Sequence, residues 1–439
     1  MDTSNKVIKV GIYIPGDGLS SVDMTNPGMG NPGVGGTQYC MLLLAYYLAL
    51  KPEKYKVCII SKQYLNLPTC LSNLIINSFD DLLNYDSEVD VLLLKTPKNA
   101  EDFDVLSHLL HTRVITWSHN YLYGSEARMV YNCKSIALNV FVGKQMYDFY
   151  IDNDIIKKSI YIYNIVPDCV GECDRTPEPC SLTFVGQISE AKGILDLMKI
   201  WSIVEKKCPE AVLNVIGGGN LYNRSVRLGK LNITDEKTER KLYPYILDEN
   251  GKQKTNIRFY GILGKEKYDV FLRSSVGIVN PSARTETFGM GIIEMATAKL
   301  PVVTRNKNGH PDTALHNHTA LLGNSIHKMA EYICKLFFDT ELNYRLGENG
   351  KTSARRFSAE EIVPIWESAI RDVVNNKIKP SKLHISSPIA NNYKYLRAVN
   401  GILRFNLQLK FLPSVVEVES FGVNFIRGMR QRLLSKRVF

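Results

Sequence analysis

NPSARTETFGMGIIEMATAKLPVVT, residues 280–304, reads as a strand end, a loop, a helix and the start of the next strand. The apolar run VGIV ends at Asn280, a polar loop follows, a helix begins near Gly289, and LPVVT opens another strand. Strand, helix and strand in such quick succession form the repeating unit of a parallel α/β sheet. Glu286 lies in the loop, and Glu294, eight positions on, lies about one turn into the helix. Gly289 and Gly291 flank Met290 and carry no Cβ, so backbone N–H groups at the helix start can approach a ligand closely. The unpaired N–H groups and dipole of a helix N-terminus suit a diphosphate. A carboxylate one turn into the helix can accept hydrogen bonds from ribose hydroxyls, and one in the loop can reach a sugar.

The same rhythm extends in both directions. Upstream, SLTFVGQ, AVLNVIGGG and NIRFYGI are short apolar runs separated by helical stretches such as ILDLMKIWSIVEKK, with a polar insertion at about residues 222–255. Nearer the N-terminus, VIKVGIYIP, KVCIIS, VDVLLLK, RVITWSH and ALNVFVG give a second set of five strands. Buried parallel strands are expected to be continuously apolar in this way. Between the sets lies VPDCVGECDRTPEPC, rich in proline and acids and without periodicity, which reads as a linker. The pattern predicts an α/β protein of two Rossmann-like domains facing a cleft. The first spans residues 1–167 and the second 181–360, followed by a closing helix at 361–379 and a basic extension at 380–439. In open α/β sheets ligands bind outside the carboxyl ends of the strands, so those ends should line the cleft.

A chain of 439 residues is too long for one core and suits two such domains. MDTSNK leads directly into a strand, without a signal-peptide pattern. The apolar stretch at residues 40–50 is too short to span a bilayer. Both point to the cytoplasm. The net charge is +10, and residues 381–439 contribute ten Lys or Arg against two Glu. The basic character therefore belongs to the extension, which argues against a nucleic-acid groove along the domains. Cys169, Cys173 and Cys180 match no common zinc spacing, and the nine cysteines read as free thiols. Asp152-Asn153-Asp154 matches an Asp-x-Asp metal motif but follows a helical stretch rather than a strand end, so no metal is assigned to it.

Pro281, Ser282, Glu286, Phe288, Gly289 and Glu294 resemble the E-x7-E signature of the retaining glycosyltransferases of family 4, which have the two-Rossmann-domain GT-B fold. One extra residue stands between Ser282 and Glu286. Other landmarks follow in order. GVGGTQ, with Gly35 and Gly36 in the turn and Thr37 as a helix cap, resembles the loop facing the phosphates. TWSHN places His119 where the family has a histidine near the reacting sugar. SLTFVGQISEAKG resembles the segment opening the second domain, FYGIL the loop that holds the base, and LPVVT with NGHPD the following strand and turn.

The resemblance implies a hexosyltransferase that moves a sugar from a nucleotide-sugar, a UDP-sugar, to a saccharide or lipid-linked saccharide in polysaccharide or glycolipid synthesis. It needs no metal and no cofactor beyond the donor substrate. Glu294 would bind the donor ribose, Glu286 and His119 the sugar, and Lys192 and the amides of Gly289, Met290 and Gly291 the sugar or diphosphate. The family pattern puts Arg where this chain has Gln187, and Gln cannot neutralise charge. Arg284 is a candidate replacement. The same departure keeps open a second reading, a catalytically weak sugar-binding or scaffold protein on this fold.

The extension mixes Lys394, Arg397, Arg404 and Lys410 with Leu396, Val399 and Leu403. Farther on, Phe425, Ile426, Met429 and Leu433 recur at helical spacing among Arg427, Arg430, Arg432, Lys436 and Arg437. Basic amphipathic segments can lie in a membrane interface, so peripheral contact with the inner face of the membrane is expected if the acceptor is lipid-linked. The alternative is packing on the enzyme body or a second subunit with the arginines solvated.

Overall fold

A computed structural model describes residues 6–172, 174–221, 226–284, 286–378 and 393–435, with side chains to residue 426. Two wholly parallel sheets organise it. The first contains β1 (Ile8–Tyr13), β2 (Tyr55–Ser61), β3 (Ser72–Ile75), β4 (Val91–Lys95), β5 (Arg113–Ser118), β6 (Ile136–Phe141) and β7 (Ser159–Tyr161), in the order β3-β2-β1-β4-β5-β6-β7. The second contains β8 (Ser181–Val185), β9 (Val212–Ile216), β10 (Ile257–Gly261), β11 (Val276–Ile278), β12 (Val302–Arg305) and β13 (Ala320–Gly323), in the order β10-β9-β8-β11-β12-β13. Each sheet reverses its strand order once, at β1/β4 and at β8/β11. These reversals open the crevices in which α/β sheets bind ligands.

All ten strands read from the sequence are present, and β3, β7 and β13 are additional. Each is three or four residues long and lies at a sheet edge. β3 is partly exposed, so an apolar-run criterion passes over it. The polar insertion contains a helix, Glu236–Ile246, whose N-cap Asp235 accepts from the Thr238 amide at 3.0 Å.

The helix Ala359–Val374 crosses back to the first domain. Trp366 is fully buried there, with its ring centroid 4.6 Å from that of Trp117 on β5.

The extension also returns to the first domain. Arg397, on the helix Lys394–Gly401, is fully buried, with its guanidinium 3.8 Å from the Phe149 ring centroid. It donates to the Phe149 carbonyl at 3.1 Å and to Glu419 at 2.7 Å. Arg404 pairs with Asp154 at 2.7 Å. Asp152 accepts from the Val415 amide at 2.6 Å and from Asn400 at 2.9 Å, and Asn153 donates to Ser414 at 2.8 Å. The Asp-x-Asp segment is thus the seat of the extension. Arg397 and Arg404 are structural cations, not the solvated or lipid-facing groups that the amphipathic pattern suggested.

Beyond these anchors Tyr395, Leu396, Val399, Phe411, Phe421, Phe425 and Ile426 are exposed. The helix Val415–Ser435 continues past them, and the side chains from Arg427 onward, including Met429 and Leu433, lie outside the described residues. No helix among the described residues is long and apolar enough to cross a membrane. Cys173 likewise lies outside the description, and among the described residues no group of three metal-ligating side chains converges.

Candidate active site

A cleft of about 970 Å³ lies between the two sheets and takes lining residues from both. Its second-domain wall is built at the β8/β11 reversal. Gly186 and Gln187 follow β8, and Asn280 follows β11. Asn280 has φ 35° and Ala283 φ 53°, a left-handed backbone rare for residues other than glycine. Asn280 ties this turn together: its Oδ1 accepts from the Ala283 amide at 3.1 Å and from Ser282 Oγ at 3.0 Å. Its Nδ2 donates to Glu286 at 3.1 Å, holding that carboxylate toward the cleft.

Glu286 also accepts from Lys192 Nζ at 3.1 Å. Burial pushes its carboxyl upward, but the Lys192 ammonium, His310 and the hydrogen bond from Asn280 outweigh burial and hold it at about 2. It is ionised at every physiological pH. The helix Met290–Thr297 begins just beyond, with Gly289 at its N-cap in a left-handed conformation, φ 99°. A Cβ there would crowd Ile292, Thr313 and His310 at 3.1–3.2 Å, so glycine serves both the turn and the close packing. On β9's far end, a Cβ at Gly217 would run into the Gly186 carbonyl. That glycine lets the loops after β8 and β9 touch.

Glu294 forms a buried ion pair with Lys267, Nζ to Oε1 2.6 Å, with side chains 5% and 8% exposed. Lys267 also lines the cleft and was not picked out from the sequence; it sits in the polar run GKEKYD, where nothing marks one lysine from the next. The pair alters one expectation. Removing the Glu294 carboxylate outright strands a buried ammonium, so Glu294→Ala is expected to destabilise the fold as well as the site. Glu294→Gln retains an acceptor and is the cleaner probe. It is expected to weaken binding of a nucleotide by about 1–3 kcal/mol while the protein stays folded, and titration calorimetry with UDP measures this. An unchanged dissociation constant would remove Glu294 from the ribose role.

Gln187 lines the cleft, donates to the Gly219 carbonyl at 3.2 Å and accepts from Ser189 at 3.3 Å. Arg284 is exposed and is not among the cleft residues, so it does not replace the absent arginine. Lys192 and Lys267 are the cations this wall offers, both paired with the glutamates.

The first-domain wall supplies the loop at Gly35 and Gly36 and the end of β5. The helix starts at Gly36 with Gly35 as its cap, which places Thr37 inside the first turn rather than at the cap. Its N-terminus faces that of Met290–Thr297 across the cleft, with Cys40 Sγ 3.2 Å from Met290 Sδ.

His119 follows β5 and is 8% exposed. Thr287, next to Glu286, donates to the His119 carbonyl at 2.9 Å, so the Glu286 loop is bonded to the end of β5 across the two domains. A second bridge runs from the Gln145 amide to Asp312 at 2.9 Å. Burial pushes the Asp312 carboxyl up to about 7. Neither bridge is legible from spacing, because each joins residues more than 160 positions apart.

Burial, helped by Lys95, holds the His119 imidazole down at about 3, and its Nε2 has no hydrogen-bond partner among the described residues. A neutral ring can donate to or accept from a hydroxyl but cannot act as a cation at neutral pH. Because the folded value lies below the unfolded one, near 6.5, the unfolded state binds the extra proton. The stability tied to the neutral ring is full above about 6.5 and is lost as pH falls toward 3. Relative to wild type, His119→Asn is expected to gain about 2 kcal/mol between pH 7 and pH 5. Denaturant unfolding at the two pH values measures this, and parallel losses in both proteins would contradict a buried neutral histidine.

Residues 177–353, which hold the β8/β11 wall, match the family model described as glycosyl transferases group 1. Over 128 residues the chain is 34% identical to an uncharacterised glycosyltransferase of Methanocaldococcus jannaschii, covering 28% of this chain and 36% of the relative. It is also 28% identical over 201 residues to the capsular polysaccharide biosynthesis glycosyltransferase CapM of Staphylococcus aureus, covering 45% of this chain and 47% of the relative. The matches thus span between about a third and a half of these relatives' length. The crystal structure of Anabaena HepE in complex with UDP and glucose superposes with a TM-score of 0.61 at 11% identity, covering 83% of this chain and 99% of that one. The fold is GT-B, two parallel-sheet α/β domains around a cleft.

Proposed function

We propose that this protein is a retaining glycosyltransferase of the E-x7-E type that transfers a hexosyl group from a UDP-sugar to a saccharide or lipid-linked saccharide acceptor. One observation carries the reading. Glu286, Glu294, Lys192 and the N–H groups at Gly289–Gly291 converge on one wall of the cleft at a strand-order reversal, with His119 bonded to it from the other domain. The family match over this wall, the glycosyltransferase relatives and the UDP-bound structural neighbour support it.

In this reading the diphosphate lies at the start of the helix Met290–Thr297, where the N–H groups and the Lys192 ammonium stabilise the charge that grows as the anomeric C–O bond breaks. The acceptor oxygen attacks from the same face, and its proton passes to the departing phosphate oxygen. Glu286, ionised and held by Asn280, faces the positive charge that develops on the sugar. The neutral His119 hydrogen-bonds a sugar hydroxyl. The enzyme mainly positions reactants, and the reaction uses no metal and no cofactor beyond the donor.

The lysine–glutamate pairing of the donor wall, with Gln187 in place of an arginine, favours the second reading, a protein that binds sugar nucleotides and turns them over weakly. A thermal-shift panel of UDP-, GDP- and ADP-sugars tests the common part, since ligand binding to the native state raises Tm. A rise specific to UDP-sugars is expected, and no rise with any donor would contradict both readings. Turnover then separates them.

Peripheral membrane contact through the extension belongs to the same proposal. The exposed Tyr395, Leu396, Phe411, Phe421 and Phe425 support it, while Arg397 and Arg404 are committed to the fold. Equal sedimentation with anionic liposomes of the full chain and of a chain ending at Lys379 would remove the extension from that role.

A further inference from the structure

The first-domain wall carries a feature that donor binding does not use. Lys95 is the last residue of β4, at the β1/β4 strand-order reversal, and Lys98 follows in the loop leading to the next helix. Both are exposed residues of the cleft lining, and among the described residues neither ammonium has a protein hydrogen bond or ion pair. Partial desolvation and the neighbouring Lys98 ammonium hold the Lys95 ammonium below its ordinary range, although the residue stays exposed.

The acidic groups of this wall lie elsewhere. Asp17 and Asp102 both act on Tyr13, and Lys62 acts on Asp102. Lys95 acts instead on His119, on the half of the wall nearest the Glu286 loop. Besides His119 Nε2, which the donor sugar would use, one buried polar atom lining the cleft lacks a partner among the described residues: the Oδ1 of Asn164, which is 3% exposed. Buried polar groups are ordinarily hydrogen-bonded, so orphans lining a cleft point to a ligand.

We propose that this wall binds the acceptor through a dianionic phosphate monoester held by Lys95 and Lys98, with Asn164 accepting a hydrogen bond from an acceptor hydroxyl. The inference rests on the glycosyltransferase reading, since it makes the β1/β4 crevice the acceptor side of a two-substrate cleft. Two unpaired ammonium groups match a group carrying about −1.5 to −2 charge at pH 7 better than they match a neutral sugar. Lysine serves as a point-charge phosphate binder. The phosphate can belong to a soluble sugar phosphate or to a lipid headgroup.

The test uses the full chain saturated with UDP, so that the donor's phosphate positions are filled. Glucose 6-phosphate and glucose are titrated calorimetrically, and phosphatidate vesicles are compared with phosphatidylcholine vesicles by sedimentation, each with wild type and K95A/K98A. UDP binding by the variant shows that it is folded. The expected result is saturable binding of glucose 6-phosphate or of phosphatidate vesicles, absent for the neutral partner and weakened about tenfold or more in the variant. The arm that binds identifies the source of the phosphate. Binding indistinguishable from glucose and phosphatidylcholine, or equal in the variant, would overturn the proposal. If wild type fails to bind UDP at all, the glycosyltransferase reading falls instead.

Discussion

Glu286→Gln is expected to lower the rate of sugar transfer by on the order of 10²–10³-fold, the cost of removing one preorganised electrostatic group from a transition state. The substitution keeps the shape and an acceptor for Asn280, so the turn from Asn280 to Ala283 survives. It removes the negative charge that faces the developing positive charge on the sugar. It also removes the negative charge that Lys192 pairs with at 3.1 Å, so the wall becomes more positive and binding of UDP is expected to stay the same or tighten while turnover falls. Steady-state kinetics beside titration calorimetry make the distinction. An unchanged kcat would deny Glu286 a part in the reaction, and a loss confined to KM would make it a binding group only. Lys192 is not a clean probe. Its removal leaves the buried Glu286 carboxylate without its ammonium, so Lys192→Ala is expected to cost stability as well as rate.

Arg397→Ala is expected to destabilise the protein by about 2–4 kcal/mol, because it empties a buried site and leaves Glu419 without its partner. Arg397 is fully buried against Phe149 and bonded to Glu419 at 2.7 Å, whereas Glu419 keeps 29% exposure, which softens the penalty. Scanning calorimetry should show a lower Tm, and Arg397→Met should recover the packing share of the loss but not the ionic share. A Tm within experimental error of wild type would mean that the extension does not hold the first domain together through this residue.

The sheets and the site were legible in unequal measure, for physical reasons. Central strands such as VLLLK and SLTFV are covered on both faces, and their unbroken apolar runs announce them. The edge strand SNLI is half-exposed and SIY is three residues long, so neither leaves a pattern. Glu286, Glu294 and Gly289 were legible because one strand–loop–helix segment carries all three. Lys267 was not, since its pairing with Glu294 depends on how two helices approach in space.

The bonds from Thr287 to His119 and from Gln145 to Asp312 depend on how the domains face each other, and no local pattern encodes that. The extension gave the plainest correction. Its arginines at helical spacing read as an amphipathic surface, yet Arg397 and Arg404 point inward to Glu419 and Asp154. A basic residue on an amphipathic face has the same sequence signature whether its partner is water, lipid or a carboxylate of the same chain.

The central claim is that this cleft breaks the bond between a sugar and a nucleoside diphosphate. The most direct measurement is nucleotide release over time from UDP-, GDP- and ADP-sugars by the full chain, run beside Glu286→Gln. Wild type should release UDP from a UDP-sugar, and the variant should fall toward the rate of donor alone. No release from any donor, or equal release by both proteins, would contradict it.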